Sequence, residues 1–247
     1  MFRRGGSAPR RTPLTIVTST QSIAYFDAAL GVTIATGVSA WANQNGIAGR
    51  DVTQGTGANQ PTYSASDPNF GGQPSLTFDG VNDVLSAASG YPWAAISGGF
   101  QPYFWAVIRQ ATWVVNNGIW SSSAAGNGFG VLQQLTVTPQ LRMFSAGGSA
   151  SNENTGAPVA GVAARIESSH TNSAADFLKC GATNVTGTNC GAGLSTATLF
   201  IGSLNGSANF WAGSIAAMGW WMTLPTIAER AALSAYVTAR WGGTVLV

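Results

Sequence analysis

The middle of the chain repeats one device, a short aromatic or β-branched run closed by a turn. Residues 103–109, 118–122, 128–134, 140–145, 161–168 and 198–202 are runs of this kind, and a longer one goes from Trp211 to Trp221. Asn116-Asn117-Gly118 is a turn signal, which makes residues 118–122 the returning strand of residues 103–109. Residues 175–179 and 183–187 read as a hairpin around Cys180-Gly181-Ala182. Short strands with turn chemistry between them predict a sandwich rather than a helical fold. A chain of 247 residues without an exact internal repeat is expected to form one such domain.

One segment departs from this pattern. Thr226 with Glu229 three residues on is a capping box, and Leu233, Tyr236, Val237 and Trp241 recur at helical spacing. Gly242-Gly243 follows as a stop. The spacing predicts one amphipathic helix over residues 226–241 that closes the domain.

Three blocks resemble a known family. The first is Ala24-Tyr25-Phe26-Asp27-Ala28. The second runs from Trp41-Ala42-Asn43-Gln44-Asn45-Gly46 through Ala58-Asn59-Gln60-Pro61-Thr62-Tyr63 to Thr77-Phe78-Asp79-Gly80-Val81-Asn82-Asp83. The third joins Phe210-Trp211-Ala212-Gly213-Ser214 to the helical segment. Their order resembles the concanavalin A-like, laminin-G-like domains of bacterial surface proteins and phage virions. The resemblance implies an all-β, two-sheet antiparallel jelly-roll sandwich with one short C-terminal helix, over residues 23–247. It also implies glycan binding, protein binding or a structural role, since one sandwich hosts many functions.

Charge is scarce, at 8% of residues, while 45% are hydrophobic and nine are Trp. That argues for a folded chain whose surface is hydroxyl and amide, suited to packing against a neighbour or a sugar. A compositional bias toward Ala and Gly gives the same numbers without any function. Arg3, Arg4, Arg10 and Arg11 leave seven basic against nine acidic groups in the body. Residues 1–22 read as a flexible basic arm and lead-in, because Gly5-Gly6, Pro9 and Pro13 prevent a regular element. Four charges are too few for specific nucleic-acid binding, so the arm is read as a protein-docking tether. No export signal and no apolar run of spanning length is recognised.

Catalytic groups are sparse. The glutamates Glu153, Glu167 and Glu229 are far apart, whereas a retaining glycosidase needs two carboxyl groups about 5 Å apart. His170, beside Ser168 and Ser169, reads as a surface strand residue. Asp79, Asn82 and Asp83 offer hard oxygens, and laminin-G-like domains often hold calcium at one rim. Six to eight ligands would have to be completed from elsewhere, and the plainer reading is a turn closed on backbone donors. No other cofactor is expected. Cys180 and Cys190 could close a loop in an oxidising setting. Of the tryptophans, Trp105, Trp211, Trp220, Trp221 and Trp241 read as core, while Tyr91, Trp93 and Trp113 lie near predicted loops as glycan or partner contacts.

The expectation drawn from all this is a non-enzymatic virion structural protein, decorating a capsid or associated with a tail. It would attach through the arm to other virion proteins, be present in several copies, and contribute host-surface glycan binding. The alternative is a glycan-binding adhesin or lectin-like module at a cell surface, and the remoter one a degenerate glycoside hydrolase.

Overall fold

The computed structural model describes residues 21–93, 102–122, 129–133, 141–145, 153–154, 158–170, 177–181, 183–186, 198–242 and 245–246. The strands, numbered along the chain, form two sheets. The first holds β1 (Ser22–Asp27), β5 (Thr62–Asp67), β6 (Gln73–Asp79), β8 (Tyr103–Gln110), β13 (Ala163–Ser169), β14 (Phe177–Cys180), β15 (Thr183–Thr186), β17 (Ala212–Trp221) and β18 (Val245–Leu246). The second holds β2 (Val32–Ile34), β3 (Val38–Trp41), β4 (Val52–Thr53), β7 (Leu85–Ala87), β9 (Gly118–Ser121), β10 (Phe129–Gln133), β11 (Leu141–Ser145), β12 (Glu153–Asn154) and β16 (Leu199–Ile201). The α-helix is α1 (Ile227–Trp241).

The first sheet is ordered β15-β14-β13-β8-β17-β6-β5. β8 pairs with β17 over nearly its full length. The opposite edge of β17 is shared, with β6 on Ala212–Ile215 and β1 on Ala217–Trp221. The second sheet is ordered β12-β11-β10-β9-β16-β7-β4-β3-β2. Pairing is antiparallel except where β18 joins β13. The two-sheet sandwich with a C-terminal helix is thus as the sequence predicts.

One connection differs. β9 does not return beside β8 but lies in the other sheet, between β10 and β16. A tight hairpin closes over about two residues, whereas residues 111–117 are long enough to arch from one sheet to the other. The shorter hairpin is found as expected, with Cys180 opposite Thr183 across β14 and β15.

Two apolar layers explain why strands of the first sheet are buried throughout. Phe26, Phe104, Ile108, Ile166 and Trp220 face inward against Trp41, Leu85, Val131 and Ile201. The opposite face carries Tyr25, Tyr103, Trp105, Val107 and Trp221, and Leu233, Tyr236, Val237 and Trp241 of α1 cover it. A strand buried on both faces reads as a continuous apolar run, not an alternating one. The tryptophans expected in the core, Trp105, Trp211, Trp220, Trp221 and Trp241, are all there.

The helix is pinned by polar contacts as well as packing. Thr226 Oγ1 accepts the Glu229 N–H at 3.2 Å, and the Glu229 carboxylate accepts the Thr226 N–H at 2.7 Å. The bond from the Thr226 N–H, with a second from the Thr226 hydroxyl at 2.8 Å, holds the Glu229 carboxyl below its usual range. At the other end Arg240 donates to Asp27 Oδ1 at 2.7 Å and to the Tyr236 hydroxyl at 2.7 Å. The Tyr25 hydroxyl donates to Asp27 Oδ2 at 2.9 Å. Asp27 is fully buried, so removing its partner would strand a charge.

Replacing Thr226 by Ala should cost about 1 kcal/mol of stability, the usual loss at an N-cap. Thermal unfolding of Thr226→Ala against the wild type measures it, and an unchanged melting temperature would show that the cap contributes nothing.

Candidate functional site

The strand ends gather several loops at one rim. Across the first sheet Ala212 lies opposite Asp79, Gly213 opposite Gln110, and Ala163 opposite Arg109. In the second sheet Gly118 begins β9 at this same end, and Ile201 of β16 lies opposite Leu85 of β7. The connections at residues 79–84, 111–117, 158–162 and 202–211 therefore crown one end of the sandwich.

Two buried glutamines build the loop at residues 111–117. Gln110 ends β8 in the first sheet and Gln133 ends β10 in the second, and neither is solvent-exposed. Both amides donate to the Thr112 carbonyl, Gln133 at 3.1 Å. Gln110 Oε1 also accepts the Trp211 indole N–H at 2.7 Å. Gln133 Oε1 accepts the Val114 N–H at 2.9 Å, and the Gln133 carbonyl accepts the Asn116 N–H at 2.8 Å. One carbonyl thus joins the two sheets, and the loop is held before any ligand arrives.

The clamp places Trp113, half-buried against the core, between exposed neighbours. Val114 is 47% exposed and Val115 39%. The Trp113 indole nitrogen is itself buried, so the surface this residue offers is ring carbon. A second loop lies alongside. The Gly118 N–H donates to the Asn209 carbonyl at 3.0 Å, and a side chain at Gly118 would collide with Leu204. Asn116 and Asn209, at φ 63° and 55°, are the non-glycine residues with positive φ among the described residues, and both border this junction. Asn tolerates that conformation because its short amide bonds locally. Ser203 and Asn205 fold the second loop on itself, accepting the Gly206 and Ala208 N–H groups at 2.9 and 2.8 Å.

Beside these loops, Asp79 Oδ1 accepts the N–H groups of Val81, Asn82 and Asp83 at 2.8, 3.2 and 3.3 Å. Asp83 Oδ2 accepts the Asp79 N–H at 2.9 Å. Gly80 takes φ 78° in the turn. The residues considered for calcium are therefore part of a turn organised by backbone donors. Among the described residues no three His, Cys, Asp or Glu side chains gather in a metal-holding group. Burial raises the Asp83 carboxyl to about 6, aided by the Asp79 charge and opposed by the bond from the Asp79 N–H.

The structure places the expected contact aromatics Tyr91 and Trp93, and His170, in the interior. Tyr91 is 3% exposed and Trp93 0%, so neither is a surface contact. Their rings stack at 5.2 Å, Trp93 packs on Trp120 at 5.7 Å, and its indole donates to the Thr198 carbonyl at 2.7 Å. The loop that carries them is drawn into the core by aromatic area that the strands alone leave unfilled. His170 is not a surface residue either. It is buried edge-on against Phe129 at 5.5 Å and Trp120 at 6.1 Å. Glu167, read as an isolated carboxylate, is buried against Arg165 at 2.7 Å and accepts the Tyr103 hydroxyl. Burial pushes the Cys180 thiol up to about 12. Arg3, Arg4, Arg10, Arg11 and Cys190 lie outside the described residues.

Sequence reasoning missed Gln110 and Gln133. A signal was present, because alternation from Phe104 through Ala106 and Ile108 places Gln110 on the inward face. A buried amide there has to find partners.

No protein-family model and no curated protein matches the sequence. Solved structures do match in fold. An α-L-arabinofuranosidase superposes with a TM-score of 0.64 at 10% identity, over 92% of this chain and 64% of that one. Trypanosoma rangeli sialidase in complex with sialic acid gives 0.60 at 10% identity, over 92% of this chain. Domain 4 of an extracellular arabinanase from Geobacillus stearothermophilus, in complex with arabinotriose, gives 0.58 at 12% identity, over 90% of this chain and 98% of that one. This chain spans about a third of the length of the sialidase chains it matches. These likenesses are of fold. They correct the expectation of a non-enzymatic virion structural protein, since the sandwich recurs in sialidase, arabinanase and arabinofuranosidase. The expectation that the chain is not an enzyme is corrected by the same likeness to glycosidases. Among the described residues no helix is long and apolar enough to cross a membrane.

Trp93→Ala should destabilise the fold by about 3–5 kcal/mol, the range for a buried large aromatic. Trp113→Ala should cost far less, and chemical denaturation of both variants separates the buried from the rim indole. A carboxyl with a raised folded pKa holds its proton more tightly folded than unfolded. Asp83 therefore contributes stability that is fully present below about pH 4 and is lost as pH rises through about 6. Asp83→Asn should raise the melting temperature at pH 7.5 relative to the wild type and give no gain at pH 4. Equal effects at both values would reject a raised Asp83.

Proposed function

We propose that this chain is a carbohydrate-recognition sandwich that holds an oligosaccharide at the Trp113 rim, as a module of a carbohydrate-active protein. The observation that carries the reading is the glutamine clamp on Thr112. It fixes an indole and two valines at the surface, where a stable core has no use for them. Sugar rings present C–H faces that pack on aromatic carbon, and their hydroxyls bond to amides such as those of Asn116, Asn205 and Asn209. A loop already held in place loses little freedom on binding, which favours affinity. The fold likeness supports the same reading. The matched domain that this chain covers almost entirely was solved with arabinotriose, and its sandwich has the size of this one.

Titration calorimetry with a panel of oligosaccharides that includes arabinotriose and sialyllactose tests the reading. At least one sugar should bind, and Trp113→Ala should weaken it by about tenfold or more while leaving the fold intact. No binding at millimolar sugar, or binding indifferent to Trp113, would reject it. Aryl arabinofuranosides and aryl sialosides in the same panel read hydrolysis. Turnover abolished by Asp83→Asn would extend the reading from binding to chemistry at the Asp79–Asp83 pair.

A further inference from the structure

We infer that the oligosaccharide taken at this rim is neutral, built of hydroxylated sugars without a sialic or uronic acid carboxylate. The inference rests on the reading of the rim as the carbohydrate site, and it comes from where the chain places its few charges.

The loops at residues 54–61, 79–84, 111–117, 158–162 and 202–211 contain two ionisable side chains, Asp79 and Asp83. Both are carboxylates. The 54–61 loop belongs to the same end, since the Val84 N–H donates to the Asn59 carbonyl at 3.1 Å. Recognition of a sugar carboxylate requires a cation or a cluster of aimed N–H donors, and arginine is the usual choice. Two arginines stand on the strands that border these loops, Arg109 on β8 and Arg142 on β11, and neither lies in the loops themselves. Arg109 lies on the helix-side face of the first sheet and donates to the Gly161 carbonyl at 2.9 Å. Arg142, on the outer face of the second sheet, is in register with Glu153 of β12. Farther away, Arg165 pairs with Glu167 and Arg240 with Asp27, both buried.

A carboxylated sugar arriving at Trp113 would therefore meet amides, hydroxyls and two like charges. Above about pH 6 Asp83 is ionised, so both charges are present at neutral pH. A neutral sugar meets the same amides and the same indole without repulsion. The two ligand chemistries seen in similar folds, sialic acid and arabinotriose, are thus separated by charge on this chain.

Matched pairs test this on the intact chain. Lactose against sialyllactose, and xylotriose against the same trimer carrying a glucuronate, differ by one carboxylate each. They are titrated with arabinotriose at pH 7.5 in low salt and again in 1 M NaCl. A neutral member should bind at least about tenfold more tightly than its acidic counterpart, a difference expected for the exposed Asp79 and the buried Asp83 carboxylates at this rim, and salt should narrow the gap. An acidic sugar bound as tightly as its neutral pair, or more tightly, with binding lost in Trp113→Ala, would overturn the inference and leave the carbohydrate reading standing. A panel in which no sugar binds would reject both.

Discussion

The first sheet is covered on both faces, and most of the architecture follows from that constraint. An aromatic layer fills the space between the sheets, with Phe104, Trp120 and Trp220 in mutual contact at 5.2 Å. A second layer is needed on the far side, because Tyr103, Trp105 and Trp221 would otherwise face water. The C-terminal helix supplies it. Polar groups on that covered face must then be answered from within the chain, since an unpaired buried charge is very costly. Asp27 meets Arg240 and the Tyr25 hydroxyl, which in turn meets the Tyr236 hydroxyl, while Glu167 meets Arg165 and Tyr103. Asp27, Arg165, Glu167 and Arg240 thus serve internal closure.

The same economy shapes the rim. Apart from the Asp79–Asp83 turn, the rim loops are built from amides, hydroxyls and backbone groups. Gln110 and Gln133 come from different sheets and converge on one carbonyl, so the rim is tied across the sandwich by neutral hydrogen bonds. Such bonds carry no net charge, and they hold the loop that bears Trp113. The outcome is a rim whose polar groups are amides, hydroxyls and backbone atoms, with Asp79 and Asp83 as the ionisable side chains of its loops.

Fold was far more legible than site. The capping box at Thr226 and the stripe from Leu233 to Trp241 are local patterns, and they appear in the structure where the spacing puts them. The hairpin around Gly181 is local too. The partner of β9 was not legible, because an arch between sheets and a turn within one begin with the same residues. Tyr91 and Trp93 looked like loop aromatics, and their burial depends on Trp120 and Trp220, which arrive from distant strands. His170 and Glu167 were misread for the same reason, since their surroundings are assembled from other elements.

By itself, then, the sequence determined the strand-rich class, the single capped helix, the turn at Asp79-Gly80 and the shortage of charge. These depend on neighbours a few residues apart or on composition alone. Tertiary structure decided which faces were covered, which aromatics went inside, and how two glutamines 23 positions apart in the numbering came to hold one carbonyl. The physical reason is that burial and hydrogen-bond satisfaction belong to the packed chain. Alternation shows which side of a strand a residue takes, but only the packed sheets and helix decide what lies on that side.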